Sequence, residues 1–568
     1  FRNEDVRNRI IASASLKYDI NDWIYVMGRA GTDHYTIRKT SVEPYGTAYR
    51  PLGAIIESEV RYTQVDADLM LGIEGDISES FGVSALFGAN SNSIKEETLG
   101  QRGENFIVQG LEDVGNTQNQ SRYRYYGTEI NGVMVGGERK IGALYGSLEF
   151  SYKDFAFITL TGRNDWFSTL SYPGKTTPND DFYPSVNASL VLSDAFNMEG
   201  AVSFLKLRGG YSEVAGGAQE PYRLALNYEI FAQGHQGQSL GRINGSGVPN
   251  GNLVAFNKEE YEVGLDSRFF NNRLSLDLAL YKNKTTNDIV PVTTSVFSGY
   301  STAVENVGVL QNKGVEFLLS GTPVSSENFS WRTSINGSFN ESIVVATNEK
   351  NGDITLGEPR TQNVEIKQIV GEPYGTIVGV SYVRDDNGAI VYDISDDGVP
   401  LAREGGREIL GEGIPPWTFG FSNTLRYKDF SLSFLIDGKF GGQIFSGTNT
   451  VTYGNGMHKA TLEGRANGLE VSGINGDTGS PFTATVAPED LQTYYGRISR
   501  IAEQFVEDSD FIKLRQLSVS YNMPSSILKN VFIDGITMSI VGQNLFYIMR
   551  SVDNIDPESA YNVGNAQG

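Results

Sequence analysis

From Leu274 to Tyr281 the chain reads Leu, Ser, Leu, Asp, Leu, Ala, Leu, Tyr, with an aliphatic residue at every second position until the closing tyrosine. A helix of 3.6 residues per turn cannot gather that set on one face, whereas a β-strand turns successive side chains to opposite sides. The same period of two recurs from Trp331 through Arg332, Thr333, Ser334, Ile335, Asn336, Gly337 and Ser338 to Phe339, and again across Arg515, Gln516, Leu517, Ser518, Val519, Ser520 and Tyr521. One face of each strand suits an apolar phase and the other suits water. A single strand of this kind fits a soluble sandwich as well as a membrane barrel, so the number of strands has to separate the two.

Short polar turns count the hairpins. Eight stand out, near Asn21 to Asp22, Ile77 to Ser80, Lys153 to Asp154, Asp194 to Gly200, Asn271 to Asn272, Ser325 to Asn328, Lys428 to Asp429 and Pro524 to Asp534. Between them lie long stretches rich in Gly, Asn, Asp, Ser and Thr, at residues 30–56, 92–122, 167–181, 214–256, 286–311, 343–416 and 445–509. Eight hairpins give about 16 strands, and the fold class expected is all-β, a transmembrane antiparallel β-barrel. Bacterial barrels of this kind keep short turns on the periplasmic side and long loops outside, so the first strand, about Arg9 to Tyr18, is expected to run from outside inward.

Composition narrows the reading. No apolar run approaches the ~20 residues of a helical span, and the mean hydropathy of −0.27 suits a barrel with a polar interior. There is no cysteine, which excludes a disulfide framework and a thiolate metal site. Lys plus Arg is 46 against 68 for Asp plus Glu, a formal charge of −22, which argues against a nucleic-acid partner. Trp23, Tyr25, Tyr152, Phe155, Tyr427 and Phe430 flank the short turns, where an interfacial aromatic girdle belongs. The chain opens at Phe1 without an initiating Met or a secretion signal, and the strand count begins and ends on the outer side. Further strands are therefore expected beyond both ends, because an open sheet edge in lipid leaves backbone groups unpaired.

Six ordered strings carry a more specific signal. Tyr152, Lys153, Asp154, Phe155 leads into Gly162, Arg163, Asn164, Asp165, Trp166. Tyr427, Lys428, Asp429, Phe430 leads into Asp437, Gly438, Lys439, Phe440, Gly441, Gly442. With them stand Asn306, Val307, Gly308 and Asn312, Lys313, Gly314, Val315, Glu316; Pro415, Pro416, Trp417, Thr418, Phe419, Gly420; Asp510, Phe511, Ile512, Lys513, Leu514, Arg515; and Gly542, Gln543, Asn544, Leu545, Phe546. In this order, from about Asp5 to Ser559, the chain resembles the barrel portion of SusC-type (SusC/RagA-like) TonB-dependent outer-membrane transporters. That resemblance implies a 22-stranded barrel of which residues 1–568 hold about strands 6 to 21, with the plug domain, the TonB box and the closing strand not among them. It also implies active import of a large nutrient, a glycan or sometimes a peptide, with a SusD-like surface lipoprotein as lid and the TonB–ExbB–ExbD complex acting through the plug. Outer-membrane lipid would surround the barrel.

Alternation assigns Ser275, Asp277, Arg332, Ser334, Asn336, Asn340, Gln516, Ser518 and Ser520 to the lumen, where hydroxyls, amides and a few charges can hold a plug by hydrogen bonds. Candidate ligand contacts in the outer loops and upper wall are Asn164, Asp165, Trp166, Phe167, Tyr172, Tyr300, Tyr453, Tyr494 and Tyr495, since aromatic faces stack on sugar rings and amides or carboxylates bind hydroxyls; packing of the loops or contact with a lipoprotein is the alternative use of those rings. The stretch from Asp385, Asp386, Asn387 and Gly388 to Asp393 and Asp396 offers carboxylates for calcium, although a solvated turn explains it as well. No cofactor is expected otherwise. His34, His235 and His458 are expected in separate loops, and no catalytic constellation is found, so the chain is not expected to be an enzyme. A passive porin and a non-transporting surface-binding or assembly barrel are the other classes compatible with the pattern.

Overall fold

The computed structural model describes residues 2–561 apart from 126–127, 131–132, 136, 219–220, 222–223, 225–227, 231–234, 237, 239, 244–246, 294–301, 348–350, 358–362, 396, 525–531 and 534. Sixteen long strands dominate it, and each of the eight expected turns falls between two of them. No helix among the described residues is long and apolar enough to cross a membrane.

The chain divides into two compact units. The first comprises Phe1–Leu190, Gly209–Tyr261 and Thr285–Val307, and the second comprises Val191–Arg208, Glu262–Lys284 and Gly308–Gly568. Unit 1 contains β1 (Arg2–Asn21), β2 (Ile24–Glu43), β3 (Ala54–Ser78), β4 (Phe81–Phe106), β5 (Glu138–Tyr152), β6 (Ala156–Phe167) and nearly all of β7 (Asp180–Val191). Each pairs antiparallel with the next in an up-and-down meander. A further strand, Thr117–Tyr125, continues the sheet beside the far end of β4. Strands β8 (Val202–Gly216), β9 (Phe256–Phe269) and β10 (Leu274–Thr286) contribute residues to both units.

Unit 2 carries β11 (Val309–Ser325), β12 (Phe329–Ala346), β13 (Trp417–Tyr427), β14 (Phe430–Phe440), β15 (Phe511–Asn522) and β16 (Thr537–Arg550), again paired in sequence order.

The turns have local causes. Lys153 (φ 46°) and Asp154 (φ 57°) are both left-handed in the three-residue turn Lys153–Phe155 closed by the pair Tyr152 and Ala156, a backbone region that Asp and Asn enter more readily than most residues. In the four-residue connection between β9 and β10, Phe270, Asn271 and Asn272 are left-handed in succession, at φ 55°, 57° and 64°. At the first turn the Asn21 carboxamide oxygen accepts from the backbone N–H of Trp23 and Ile24 at 3.0 and 2.8 Å.

Alternation separates two faces in each unit. In unit 1 the face bearing Leu69, Leu71, Phe87, Leu144 and Ile158 leaves these side chains exposed, while the opposite face carries Arg29, Asp33, Asp66 and Asp68. In unit 2, β13 has an aromatic residue at each end of its apolar face. Trp417 packs against Phe339 with centroids 4.6 Å apart and ring planes tilted by 46°, and Tyr427 sits beside Phe430, itself 4.7 Å from Tyr521. The strand is 11 residues long. At ~3.3 Å per residue and a tilt of ~40° it rises about 25 Å, the height of the apolar band of an outer-membrane barrel.

Two features differ from the expectation of plain polar loops. First, β3 and β4 run for 25 and 26 residues, well beyond the 9–11 that a membrane requires, so much of 30–56 and 92–122 is strand. The apolar alternation fades there because no lipid demands it, and pairs such as Arg38 with Glu59 sustain the ladder instead. Second, the long segments of unit 2 fold into a cap. Strands Ile354–Gly357, Val364–Gln368, Thr376–Tyr382 and Glu404–Glu412 form one sheet, and Val391–Ile394, Pro400–Ala402, Leu469–Asn475 and Pro481–Val486 form another. With helices Gly447–Gly454 and Leu491–Ile498 they enclose a core of Val364, Ile377, Phe445, Ile501, Ala502 and Phe505.

Candidate functional site: the polar face and the outer loops

The nine residues assigned to the lumen from alternation share one face of unit 2. Arg332, Ser334 and Asn336 lie opposite Thr424, Ser422 and Gly420. Gln516, Ser518 and Ser520 lie opposite Leu435, Ser433 and Ser431. A Thr424–Ser433 hydroxyl contact at 3.2 Å joins the two groups. Ser275 donates to the Ser320 carbonyl at 3.4 Å. Asp277 accepts from Arg208 at 2.9 Å. Asn340 accepts from the hydroxyl of Tyr281, the next but one on the Asp277 side of β10, at 2.9 Å. The result is a continuous wall of hydroxyls and amides with few charges.

Sequence reasoning missed a more strongly charged wall in unit 1. Asp68, 8% exposed, accepts from Arg29 at 2.6 Å, Asn90 at 3.0 Å and the Tyr145 hydroxyl at 3.2 Å. Asp66 accepts from Asn92 at 2.9 Å, and Arg9 pairs with Asp33. These residues recur at every second position on their strands, so the signal was present; it was hidden because charges on both faces blur the alternation. Every carboxylate named here is met by a donor, which is how a wet wall holds charge without a large desolvation cost.

The candidate ligand contacts do not assemble into one patch. Asn164, Asp165, Trp166 and Phe167 are consecutive on β6, so the pleat sends them alternately to opposite faces. Asp165, 6% exposed, is held by Arg163 at 2.7 Å and by the Tyr183 hydroxyl at 2.6 Å. Phe167, 3% exposed, is enclosed with Leu170, Ala218, Leu224 and Leu253. Asn164 and Trp166 stand on the other side, the one that carries Leu160 and Ile158 lower on the strand; Trp166 is exposed and Asn164 bonds Asp180 at 3.1 Å.

Tyr172 is exposed in the loop after β6. That loop is pinned by Lys175, whose ammonium donates to the carbonyls of Leu170 and Leu253, both at 2.6 Å, and of Pro178 at 3.2 Å. Burial among carbonyls lowers the Lys175 pKa from its ordinary value. Tyr300 lies outside the described residues.

Tyr453 and Tyr495 pack into the cap, with centroids 6.0 Å apart and Tyr453 5.0 Å from Phe505. Tyr494 packs on the same core, and burial pushes its phenol up. Of the seven aromatic candidates, Trp166 and Tyr172 are the ones left with exposed rings among the described residues. Tertiary packing took the others, a use that a loop assignment cannot reveal.

The aspartate-rich stretch is a turn in unit 2. Asp385 accepts from the backbone N–H of Asn387 at 3.0 Å and of Ala389 at 2.8 Å, bonds to the charged form that lower its pKa, the one from Ala389 most. Asp393 pairs with Arg403 at 2.7 Å. Asp386 is exposed, and Asp396 lies outside the described residues. Among the described residues no three His or acidic groups gather as metal ligands. His34 corrects an expectation: it stands on β2, bonded to Thr63 at 2.8 Å, because β2 extends through the segment expected to be a loop. His235 and His458 do fall in connecting segments, and His458 Nδ1 accepts from the Ala460 N–H at 3.2 Å.

A second cluster that sequence reasoning missed follows β16. Glu558 accepts from Arg515 at 2.6 Å and from Lys513 at 2.7 Å, and Val552 and Ile555 pack on Ile444. The Arg515 guanidinium, with Lys513, holds the Glu558 carboxyl down to about 2. Nothing in the sequence links positions 513 and 558, since the contact depends on the chain folding back after β16.

Long antiparallel strands with one exposed apolar face, aromatic belts about 25 Å apart, a hydrogen-bonded polar face, short turns at one end and elaborated segments at the other define an outer-membrane β-barrel. Residues 2–473 match the family described as TonB dependent receptor-like, β-barrel, and the chain belongs to that family. It is 26% identical over 525 residues to TonB-dependent receptor P26 of Formosa agariphila, covering 86% of this chain and 49% of that protein. It is 22% identical over 320 residues to TonB-dependent receptor SusC of Bacteroides thetaiotaomicron, covering 54% of this chain and 30% of SusC. The chain thus spans about half or less of the curated relatives it matches. The solved RagAB peptide transporter shares its fold, with a TM-score of 0.77 at 17% identity over 100% of this chain and 60% of that one.

Proposed function

We propose that this chain is the barrel of a SusC-like TonB-dependent importer that takes up a large nutrient, a glycan, together with a SusD-like surface lipoprotein, and that TonB–ExbB–ExbD drives it through a plug. The observation that carries this reading is the asymmetry of the strands' two ends. Short turns close one end, while the other bears the folded cap of unit 2 and the packed loops around Phe167 and Leu253. A passive pore has no need of a capped mouth with its own buried core. The polar wall from Ser275 to Ser520 suits reversible hydrogen bonding to a plug, since hydroxyls and amides exchange partners with water at small net cost.

Peptide import by the same mechanism is the second reading, favoured by the fold shared with a peptide transporter. The test is growth and uptake of a deletion strain on a panel of oligosaccharides and peptides. Loss of growth on one nutrient, restored by the full-length gene but not by a version lacking its plug, supports TonB-coupled import and names the cargo. Normal growth on every nutrient, with surface binding retained, would replace it with a non-transporting binding or assembly barrel.

A further inference from the structure

In unit 1 the extensions of β2, β3 and β4 carry a polar pocket of about 620 Å³, lined among others by Arg38, Thr40, Glu57, Glu59, Gln101 and Arg122. Its side of the sheet is fixed by register. Glu57 and Glu59 share odd positions on β3 with Val65, Leu69 and Leu71, and the pairing with β2 and β4 is unshifted between them. The pocket therefore opens on the face that meets lipid lower down, not on the face of Asp66 and Asp68. Eight residues separate Glu57 from Val65, which at ~3.3 Å per residue and a tilt of ~40° places Glu57 about 20 Å beyond the last exposed aliphatic side chain of β3.

The pocket's charges are unevenly committed. Glu59 accepts from Arg38 Nε at 3.1 Å and from Arg61 Nε at 2.7 Å, and Glu57 accepts from Gln101 at 2.7 Å. Arg38 spends only Nε on that pair, and its side chain is 77% exposed. Arg122 makes no ion pair among the described residues. Both carboxylates are thus occupied while guanidinium nitrogens of Arg38 and Arg122 face outward, in a chain whose net charge is −22.

We propose that this pocket binds the phosphorylated core saccharide of an outer-leaflet glycolipid, the part that extends beyond the acyl chains to this height. A guanidinium fork matches phosphate oxygens, the chemistry by which basic pockets on membrane proteins bind phosphorylated lipid groups. Thr40, Gln101 and the two carboxylates supply partners for sugar hydroxyls. The inference rests on the outer-membrane location and is independent of what the barrel transports.

The test uses the full-length protein in detergent with rough-type lipopolysaccharide as probe, comparing wild type with R38Q/R122Q by native mass spectrometry and by titration. Binding at least tenfold weaker in the variant, with unchanged heat-modifiable mobility on gels, is expected, as is failure of inorganic phosphate at equal concentration to displace the glycolipid. If R38Q/R122Q is misassembled, T40A/Q101A, which keeps both arginines, is expected to weaken binding several-fold. Equal binding by wild type and a correctly assembled variant would overturn the proposal, and so would displacement by phosphate alone, which would make this a site for the free anion.

Discussion

Phe505→Ala isolates what holds the cap together. Phe505 is 1% exposed, sits in the cluster of Phe445, Ile501 and Ala502, and meets the Tyr453 ring edge-on at 5.0 Å. Truncating a buried Phe costs about 3–5 kcal/mol, from lost transfer energy plus an unfilled cavity. No barrel hydrogen bond depends on this ring: strands β13 to β15 pair through their own backbones. The loss should therefore fall on the cap alone. At ~1.36 kcal/mol per factor of ten, amides of residues 444–508 that exchange by cap opening should exchange about two to four decades faster. Hydrogen-exchange mass spectrometry of the full-length protein in detergent reads this directly. Phe505→Leu, which keeps most of the volume, should cost below about 1.5 kcal/mol and move the rates by at most one decade. Unchanged exchange in 444–508, or an equal rise in β13 to β15, would refute the view of the cap as a unit with its own core.

Three other outcomes follow from the geometry. Asp165→Ala leaves Arg163 and the Tyr183 hydroxyl without their shared acceptor, a loss of ~1–3 kcal/mol from orphaned polar groups, so the temperature at which the barrel unfolds on a heat-modifiability gel should drop. Trp166→Ala should leave nutrient uptake unchanged, because the ring is on the face of Leu160 and Ile158; a selective uptake defect would return it to the ligand path. For Glu558, held down to about 2 by Arg515 and Lys513, the stabilising contribution is complete above the ordinary carboxylate pKa of ~4.3 and is lost as pH falls from there toward about 2. The wild-type thermal midpoint should fall across that window more steeply than that of Glu558→Gln, which should also exchange faster in 551–561 at pH 7.

The barrel strands were legible because their determinants are local. A period of two and a pair of left-handed residues such as Lys153 and Asp154 or Asn271 and Asn272 can be read within a dozen positions. The cap was not, because Val364 and Phe505, which share one core, are about 140 residues apart and lie in segments whose composition is that of solvated loops. The alternation that groups the polar residues of β12 and β15 in the sequence also sets them on one side of their strands, whereas the charged wall of Arg29, Asp68 and Tyr145 was overlooked. The ligand candidates fared worst for two distinct reasons. Asn164 to Phe167 were treated as neighbours although a strand separates consecutive side chains, and for Tyr453, Tyr494 and Tyr495 the sequence left ligand contact and loop packing both open because only tertiary packing decides between them. His34 shows the same limit at an element boundary, since β2 runs on after its apolar pattern has ended.

The topology itself can be tested most directly because the chain contains no cysteine. Single cysteines would be placed in the full-length protein at Asp22 and Glu327 in short turns, and at Asn387 and Asp477 in the long segments, all exposed positions. Each would then be treated with a membrane-impermeant maleimide on intact cells and again after the outer membrane is permeabilised. Labelling of Asn387→Cys and Asp477→Cys on intact cells, with Asp22→Cys and Glu327→Cys reacting only after permeabilisation, is the predicted result. Labelling of the turn positions on intact cells while the long segments stay protected would contradict the orientation on which the transport reading and the glycolipid site both depend.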